Sequence, residues 1–284
     1  MTHDFLAFDT STEHLGIALC VRGEVFVHEA AGGSLASATM IPTIRALLAR
    51  AGVTLKSLDA IAFGRGPGAF TGLRTACSVA QGLAFGAGLP VLPIDTLLTI
   101  AEDARGIARR SGPAFVSSDV AASRSESLRV WATLDARMHE IYAAQYACDG
   151  GRWSVLDAPM LITPDALNER WKSAAPQMIA GNALVTFGDR LQTGEARCVP
   201  EALPRAAAML PLALDLWSRG GAVEAALALP LYLRDKVAQT TVEREAAHAA
   251  KVAAAEAASA SASASGSGSA PATPVPASAI GTAR

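Results

Sequence analysis

Residues 5–30 read FLAFDTSTEHLGIALCVRGEVFVHEA, and this stretch decides the fold class. Phe5–Asp9 is a short apolar run ending in polar residues, the pattern of a buried strand that delivers Asp9 to its tip. Leu15–Val21 and Glu24–Glu29 are two more strand-like runs, and Arg22-Gly23 between them is a tight hairpin signal. After Gly32-Gly33 the period changes. Met40, Ile41, Ile44, Leu47, Leu48 and Ala51 recur at helical spacing, with Pro42 in the first turn and Gly52 at the end. Leu58–Phe63 then reads as a strand, Gly64–Gly72 as a loop and Leu73–Ala87 as a helix. Pro90–Asp95 is a further strand and Thr96–Arg110 a third helix.

The order β-β-β-α-β-α-β-α predicts an α/β fold in which a mixed sheet carries helices on its faces. It resembles the ribonuclease H-like half-domain of actin-like ATPases. A second lobe begins after the Ser-rich stretch Ser117–Ser127, with strands predicted at Leu128–Asp135, Glu140–Ala147 and Trp153–Leu161. A short helix follows, capped by Thr163 with Pro164 at its first position. The expected division is an N-terminal lobe over 1–112, a C-terminal lobe over 113–240 and an Ala/Ser/Pro-rich tail over 241–284. Between Ala257 and Ala279 every residue except Val275 is Ala, Ser, Gly, Pro or Thr. Such a stretch has no large apolar side chains to offset its ordering entropy, so disorder is expected there.

The chain has 284 residues, of which 51% are hydrophobic and 18% charged, with a formal net charge of -2. That balance argues against autonomous nucleic-acid binding, which needs a clustered basic footprint. Cys20, Cys77, Cys148 and Cys198 form no C-x-x-C pair and lie in or near apolar runs, as small core residues do. The N-terminal MTHDFLAFDT has no basic region followed by a long apolar one, so a cytoplasmic location is expected. Thr75–Ile94 carries no charge, but Gln81, Gly82, Gly86, Gly88, Pro90 and Pro93 interrupt it. It reads as a helix buried on most of its surface followed by a buried strand, not as a membrane span.

Two motifs suggest phosphate chemistry. Gly64-Arg65-Gly66-Pro67-Gly68-Ala69-Phe70-Thr71-Gly72 leaves a strand and opens a helix, where free N–H groups can hold an anion. It lacks the Lys-Ser/Thr of a Walker A loop, and no acidic residue stands about 20 positions on, as a dinucleotide fold requires. Alone it is equally a tight strand-to-helix turn. Asp9-Thr10-Ser11-Thr12 ends a strand before a hairpin; it suits either a phosphate- and metal-facing carboxylate or a capped turn. His3, His14, His28, His139 and His248 form no H-x-x-x-H or H-E-x-x-H pair, so no metal site is expected. His14 and His139 read as exposed or hydrogen-bonded residues. In LDARMHEIY at 134–142, Arg137 with Asp135 or Glu140 suits either a catalytic cluster or a polar hairpin whose charges fix the turn, and the hairpin is the favoured reading.

Taken together, FDTST at 8–12, FGRGPGAFTGLR at 63–74, LDARMHEIY at 134–142 and PLYLRDKVA at 230–238 carry a specific resemblance. The sequence resembles the bacterial TsaB (YeaZ) family of the Gcp-like, glycoprotease M22 group, over roughly residues 4–240. It departs in having Gly33-Ser34-Leu35-Ala36-Ser37 where many members carry a histidine, and in the Ser117–Ser127 stretch and the tail. The resemblance implies an actin-like ATPase fold without catalytic function of its own. It implies a dimerisation subunit for TsaD, acting with TsaE in threonylcarbamoyl transfer to N6 of adenosine 37 in tRNAs reading ANN codons. ATP and metal would then belong to partner subunits, and tRNA would be met only through the complex.

On this reading Asp9, Thr10, Ser11, Gly66 and Gly68 form degenerate nucleotide-type loops. The partner surface is expected on the first two helices, at Met40, Ile41, Ile44, Leu47, Leu48, Leu73, Ala76, Val79, Ala80 and Leu83. A helix apolar over so much of its circumference is buried beyond its own sheet, and a homodimer could use the same patch. The alternatives are an autonomous actin-like ATPase or kinase and a metallopeptidase.

Overall fold

The computed structural model describes residues 3–33, 36–111 and 127–234. The Ser117–Ser127 stretch (apart from Ser127), Ser34-Leu35 and the tail lie outside the described residues. Residues Met1–Asp235 form a compact unit.

The first sheet holds β1 (Phe5–Asp9), β2 (His14–Val21), β3 (Glu24–Ala31), β4 (Ala60–Gly66) and β5 (Val91–Asp95), in the order β3-β2-β1-β4-β5. The first three strands are antiparallel neighbours, and β4 and β5 add in parallel. Arg22-Gly23 is the two-residue turn between β2 and β3, with φ of 51° and 83°, as a primed hairpin turn demands. Between the strands run α1 (Ala36–Ala51) and α2 (Phe70–Ala87), and α3 (Thr96–Ser111) follows β5.

The second sheet holds β6 (Leu128–Asp135), β7 (Ile141–Asp149), β8 (Arg152–Ile162), β9 (Met178–Ala180) and β10 (Arg197–Val199). Its order, β10-β9-β6-β7-β8, is that of the first sheet, with the same antiparallel trio and the same parallel additions. Its helices are α4 (Pro164–Ser173), α5 (Ala183–Phe187) and α6 (Ala206–Ser218). The Thr163 hydroxyl accepts from the Ala166 N–H, and Pro164 opens α4, the cap anticipated from sequence.

The layers explain the near-continuous apolar runs of β1, β4 and β6, which are covered on both faces. Leu6, Phe8, Leu15, Ile17 and Leu19 face outward to α1 and α2. Phe5, Ala7, Ala18, Ala60 and Ala62 face inward to α3 and α6. On the second sheet Val130, Ala132 and Ala144 face that same inner layer, whereas Trp131, Ile141 and Ala143 face α4 and α5. The two inner helices are shared: α6 packs on β1 and β2 of the first sheet, and α3 packs on β6 and β7 of the second. Small residues allow this close approach, and a Cβ on Gly16 would stand 3.0 Å from the Ala206 nitrogen.

Three sequence expectations change. Helix α2 is buried along Leu73, Ala76, Cys77, Ala80 and Ala84 only, and Phe85 is 86% exposed. One sheet and one neighbouring helix cover half a helix, so an uncharged sequence here does not mean burial all round. Cys198 is exposed on its short edge strand. The His14 Nε2 is buried without a hydrogen-bond partner, 3.9 Å from a Glu29 oxygen, and burial holds its imidazole below the usual range. Among the described residues no helix is long and apolar enough to cross a membrane.

Candidate functional site

The Asp9 turn and the glycine loop meet at the ends of adjacent parallel strands, β1 and β4. Asp9 is fully buried. Its Oδ1 accepts from the Ser11 N–H (2.7 Å) and the Ser11 hydroxyl (2.5 Å), and its Oδ2 accepts from the Thr96 hydroxyl (3.2 Å). Burial pushes the carboxyl up to about 6, against the lowering effect of these donors.

The loop is closed onto the turn. The Ala69 N–H donates to the Ser11 carbonyl (2.7 Å) and the Thr10 hydroxyl donates to the Gly72 carbonyl (2.7 Å). A Cβ on Gly68 would lie 2.4 Å from the Ser11 carbonyl oxygen, and one on Gly72 would lie 1.8 Å from that of Thr10. Glycine is required because two backbone segments touch. At Gly66, φ is 111° and the peptide to Pro67 is cis. Thus Asp9, Thr10, Ser11 and Gly68 are brought together, as expected, whereas Gly66 packs against Leu73 and the Leu231 carbonyl. Both Asp9 oxygens and the Ala69 N–H are already occupied by the chain itself. In this structure the turn and the loop therefore act on each other as a staple. Among the described residues no group of three or more His, Cys, Asp or Glu is placed to hold a metal ion.

The anticipated partner face divides in two. Met40, Ile44, Leu47 and Leu48 on α1, and Ala76 and Ala80 on α2, are buried against the chain's own first sheet, and Leu73 is buried beside Gly66. Buried in this way, these seven present little surface of their own to a partner. The wide stripes serve a sheet whose outer face is itself apolar, plus the contact of α1 with α2. Ile41, Val79 and Leu83 remain half-buried. Outward from them Thr71, Arg74, Ser78, Gly82 and Phe85 form the exposed side of α2. On α1, Ile41, Pro42, Arg45 and Ala46 line a shallow groove of ≈ 400 Å³.

Sequence reasoning missed what the last described segment does. Residues 222–234 cross back to the first sheet, where Val223 bridges Val91 in antiparallel fashion. The Cys77 thiol (2.8 Å) and the Gln81 amide (3.0 Å) both donate to the Ala228 carbonyl, so this segment covers one flank of α2. The Leu231 N–H donates to the Arg65 carbonyl (2.7 Å), and Tyr232 packs on Phe70 with ring centroids 5.3 Å apart. Arg74 lies over the Phe70 ring and reaches the Tyr232 hydroxyl at 3.3 Å.

Two residues further on, Arg234 clamps the turn between β6 and β7. Its guanidinium donates to the Ala136 carbonyl (3.0 Å) and pairs with Glu140 (2.7 Å). Arg137, Met138 and His139 all have positive φ, at 62°, 53° and 63°. A left-handed run of non-glycine residues costs about 1–2 kcal/mol each. Asp135 holds the turn from the other side by accepting the Arg137 N–H (2.8 Å). The charges therefore fix this turn, as read from sequence, but the main anchor comes from the far end of the described chain. Only the unexplained PLYLR motif at 230–234 marked it.

Comparison with known proteins agrees with this geometry. The family model described as "TsaD: tRNA N6-adenosine threonylcarbamoyltransferase" matches residues 34–265. The chain is 33% identical over 242 residues to "tRNA threonylcarbamoyladenosine biosynthesis protein TsaB" of Escherichia coli (strain K12), covering 82% of this chain and 95% of that protein. It is 34% identical to the protein of the same name from Haemophilus influenzae, covering 82% and 94%. The solved structure of YeaZ from Pseudomonas aeruginosa superposes with a TM-score of 0.69 at 36% identity, over 82% of this chain and all (100%) of that one. Near-complete coverage of these relatives, together with two sheets of one topology, places the chain: it belongs to the TsaB (YeaZ) family, within the wider family that the threonylcarbamoyltransferase model describes.

Proposed function

We propose that this chain is a non-catalytic subunit of tRNA threonylcarbamoyladenosine synthesis, which binds and activates TsaD for transfer to N6 of adenosine 37 in tRNAs reading ANN codons. Its relatives bear the name of that biosynthesis. The observation that carries the subunit reading is the outward side of α2, which has no charge after Arg74 yet stands in solvent through Ser78, Gly82 and Phe85. A helix side kept free of charge but left uncovered is the mark of an interface. TsaD-type proteins share similarity with this chain, so equivalent helices can pair about a pseudo-two-fold axis, and a homodimer can use the same face. Val79, Leu83 and Ile41 would edge that contact.

The staple at Asp9 supports the non-catalytic part. In this reading ATP and metal sit on partner subunits, TsaE joins through the TsaB–TsaD assembly, tRNA is met only there, and the work is cytoplasmic. Co-purification with TsaD, followed by analysis of adenosine 37 after depletion of this chain, tests it. Full modification without the chain would refute the role. Mg²⁺-dependent ATP turnover by the isolated chain, lost in Asp9→Ala, would favour an autonomous ATPase. Zinc-dependent peptide hydrolysis would favour a metallopeptidase.

A further inference from the structure

The unpaired N–H and C=O groups along the edge of a sheet can take another strand, and folded chains blunt such edges. Among the described residues the two sheets have four edges, and three of them are blunted. On β5, Val91 exchanges both backbone hydrogen bonds with Val223, at 2.8 and 2.9 Å, and Pro93 removes a donor from the strand. Strand β10 has only 3 residues, and β8 carries Pro159 and two register shifts against β7. The fourth edge is β3. Its 8 residues pair one-to-one with β2 without a shift, it contains no proline, and no described residue bridges its outer side. Val25 and Val27 stand 48% and 41% exposed along it.

We propose that β3 is the contact by which two copies of this chain join, antiparallel and edge to edge, into one continuous sheet. The hairpin decides which backbone groups are free. Val21 and Glu24 flank a two-residue turn and so exchange both hydrogen bonds, which turns the N–H and C=O of Glu24, Phe26 and His28 toward β2. Those of Val25, Val27 and Glu29 point to the open edge. Antiparallel pairing must therefore set these residues opposite one another. One register, with Phe26 on the two-fold axis, places Val25 opposite Val27 of the second copy and Glu24 opposite its His28, each pair occurring twice. A carboxylate then meets an imidazole that can donate to it. In the same register Glu29 faces Gly23, so its pairing with Arg205 (3.6 Å) persists. A step one way would set Glu29 against Val25, and a step the other way Glu24 against Phe26. The edge complements its own reverse, which points to a second copy as the occupant. Helix α2 packs on β4 and β5, away from this edge, and its outward side stays free for TsaD.

Sedimentation of the full chain without TsaD, over a concentration series, reads the contact, with melting curves as a control for folding. The wild type should pass reversibly from monomer to dimer. Val27→Lys should weaken association about a hundredfold while melting with the wild type, because a lysine on an edge strand opposes strand addition, here twice over. Val155→Lys, on the blunted β8 edge, should leave association unchanged. Glu24→Lys and His28→Glu should each weaken it about tenfold, since the two-fold axis counts every cross-strand pair twice. The double variant Glu24→Lys/His28→Glu should restore it. A wild type that stays monomeric, or a dimer indifferent to Val27→Lys, would overturn the inference. So would a charge swap that restores nothing. A dimer lost in Val79→Asp and kept in Val27→Lys would put the homodimer on α2 and overturn it as well.

Discussion

The two sheets have one topology and were put to different uses. In the first lobe the helices on the outer face are long, 16 residues in α1 and 18 in α2, and the tip of the first hairpin, at Asp9–Thr12, is folded down onto a glycine loop. In the second lobe the equivalent helices have 10 and 5 residues, the parallel strands have 3 each, and the equivalent hairpin tip stands up at Arg137–His139. The comparison separates what the topology needs from what each lobe adds. In both lobes a glycine that follows the fourth strand lies tight against a carbonyl of the first-strand segment: Gly72, in the first turn of α2, against Thr10, and Gly181, directly after β9, against Thr133. The long outer helices and the glycine loop belong to the first lobe alone, and the raised tip to the second.

The largest expected effect probes the shared requirement. Gly72→Ala would place a Cβ 1.8 Å from the Thr10 carbonyl oxygen, and Gly181→Ala would place one 2.0 Å from that of Thr133. Each should cost about 3 kcal/mol or more in denaturant unfolding, since backbone cannot yield as a side chain does. A mild Gly181→Ala would break the parallel. Next comes docking. Val79→Asp on α2 should reduce TsaD binding by about a hundredfold or more, since an unpaired carboxylate would be desolvated where the two subunits meet. Val185→Asp, on the equivalent helix of the second lobe and 73% exposed in the wild type, should leave it unchanged.

The Asp9 staple gives a smaller effect with a definite sign. Its carboxyl rises from 3.8 to about 6 in the folded chain, so the folded state holds the proton more tightly than the unfolded one. The protein therefore loses stability as the pH rises from 4 through 6, and regains it on acidification through that window. Asp9→Asn removes the titration. The stability of the wild type relative to this variant should fall by roughly 2–3 kcal/mol between pH 4 and pH 7. A difference flat in pH would mean that the carboxyl is not buried as described. Smallest is the relief of strain: His139→Gly should raise stability by roughly 0.5–1 kcal/mol. The hairpin turn at Gly150-Gly151 already has glycine at φ of 55° and 88°, so it offers no such gain.

What could be read from sequence follows the same division. In the first lobe each helix is long enough for its period to declare itself, and β1, β2 and α3 were placed within a residue or two. Beyond the short helix that Pro164 opens nothing is assigned: 3-residue strands and a 5-residue helix carry too little pattern to separate from loop, and α6, though 13 residues long, is apolar nearly all round with Pro211 inside it and so shows no stripe. The approach of the Asp9 turn to the glycine loop was legible, since both lie at strand ends of one half-domain. Its closure was not, because it depends on carbonyls, which have no sequence signature. The width of the apolar stripes on α1 and α2 was read correctly and assigned to a partner. Hydrophobic width records total burial, and Ile44 at 1% exposed shows that the chain's own sheet takes most of it.

The shared inner layer has a consequence for how this protein is made. Helix α6, which covers the β1–β2 half of the first sheet, begins at Ala206, whereas the first lobe's own elements are complete by Ser111. At 5–20 residues per second, translation leaves that face uncovered for roughly 5–20 s after the lobe's last helix is synthesised. During this interval the nascent chain shows Phe5, Ala7 and Ala18 to solvent. Alanine on such a face is a poor target for aggregation or capture, so the residues that admit α6 closely also shelter the half-made chain until α6 arrives.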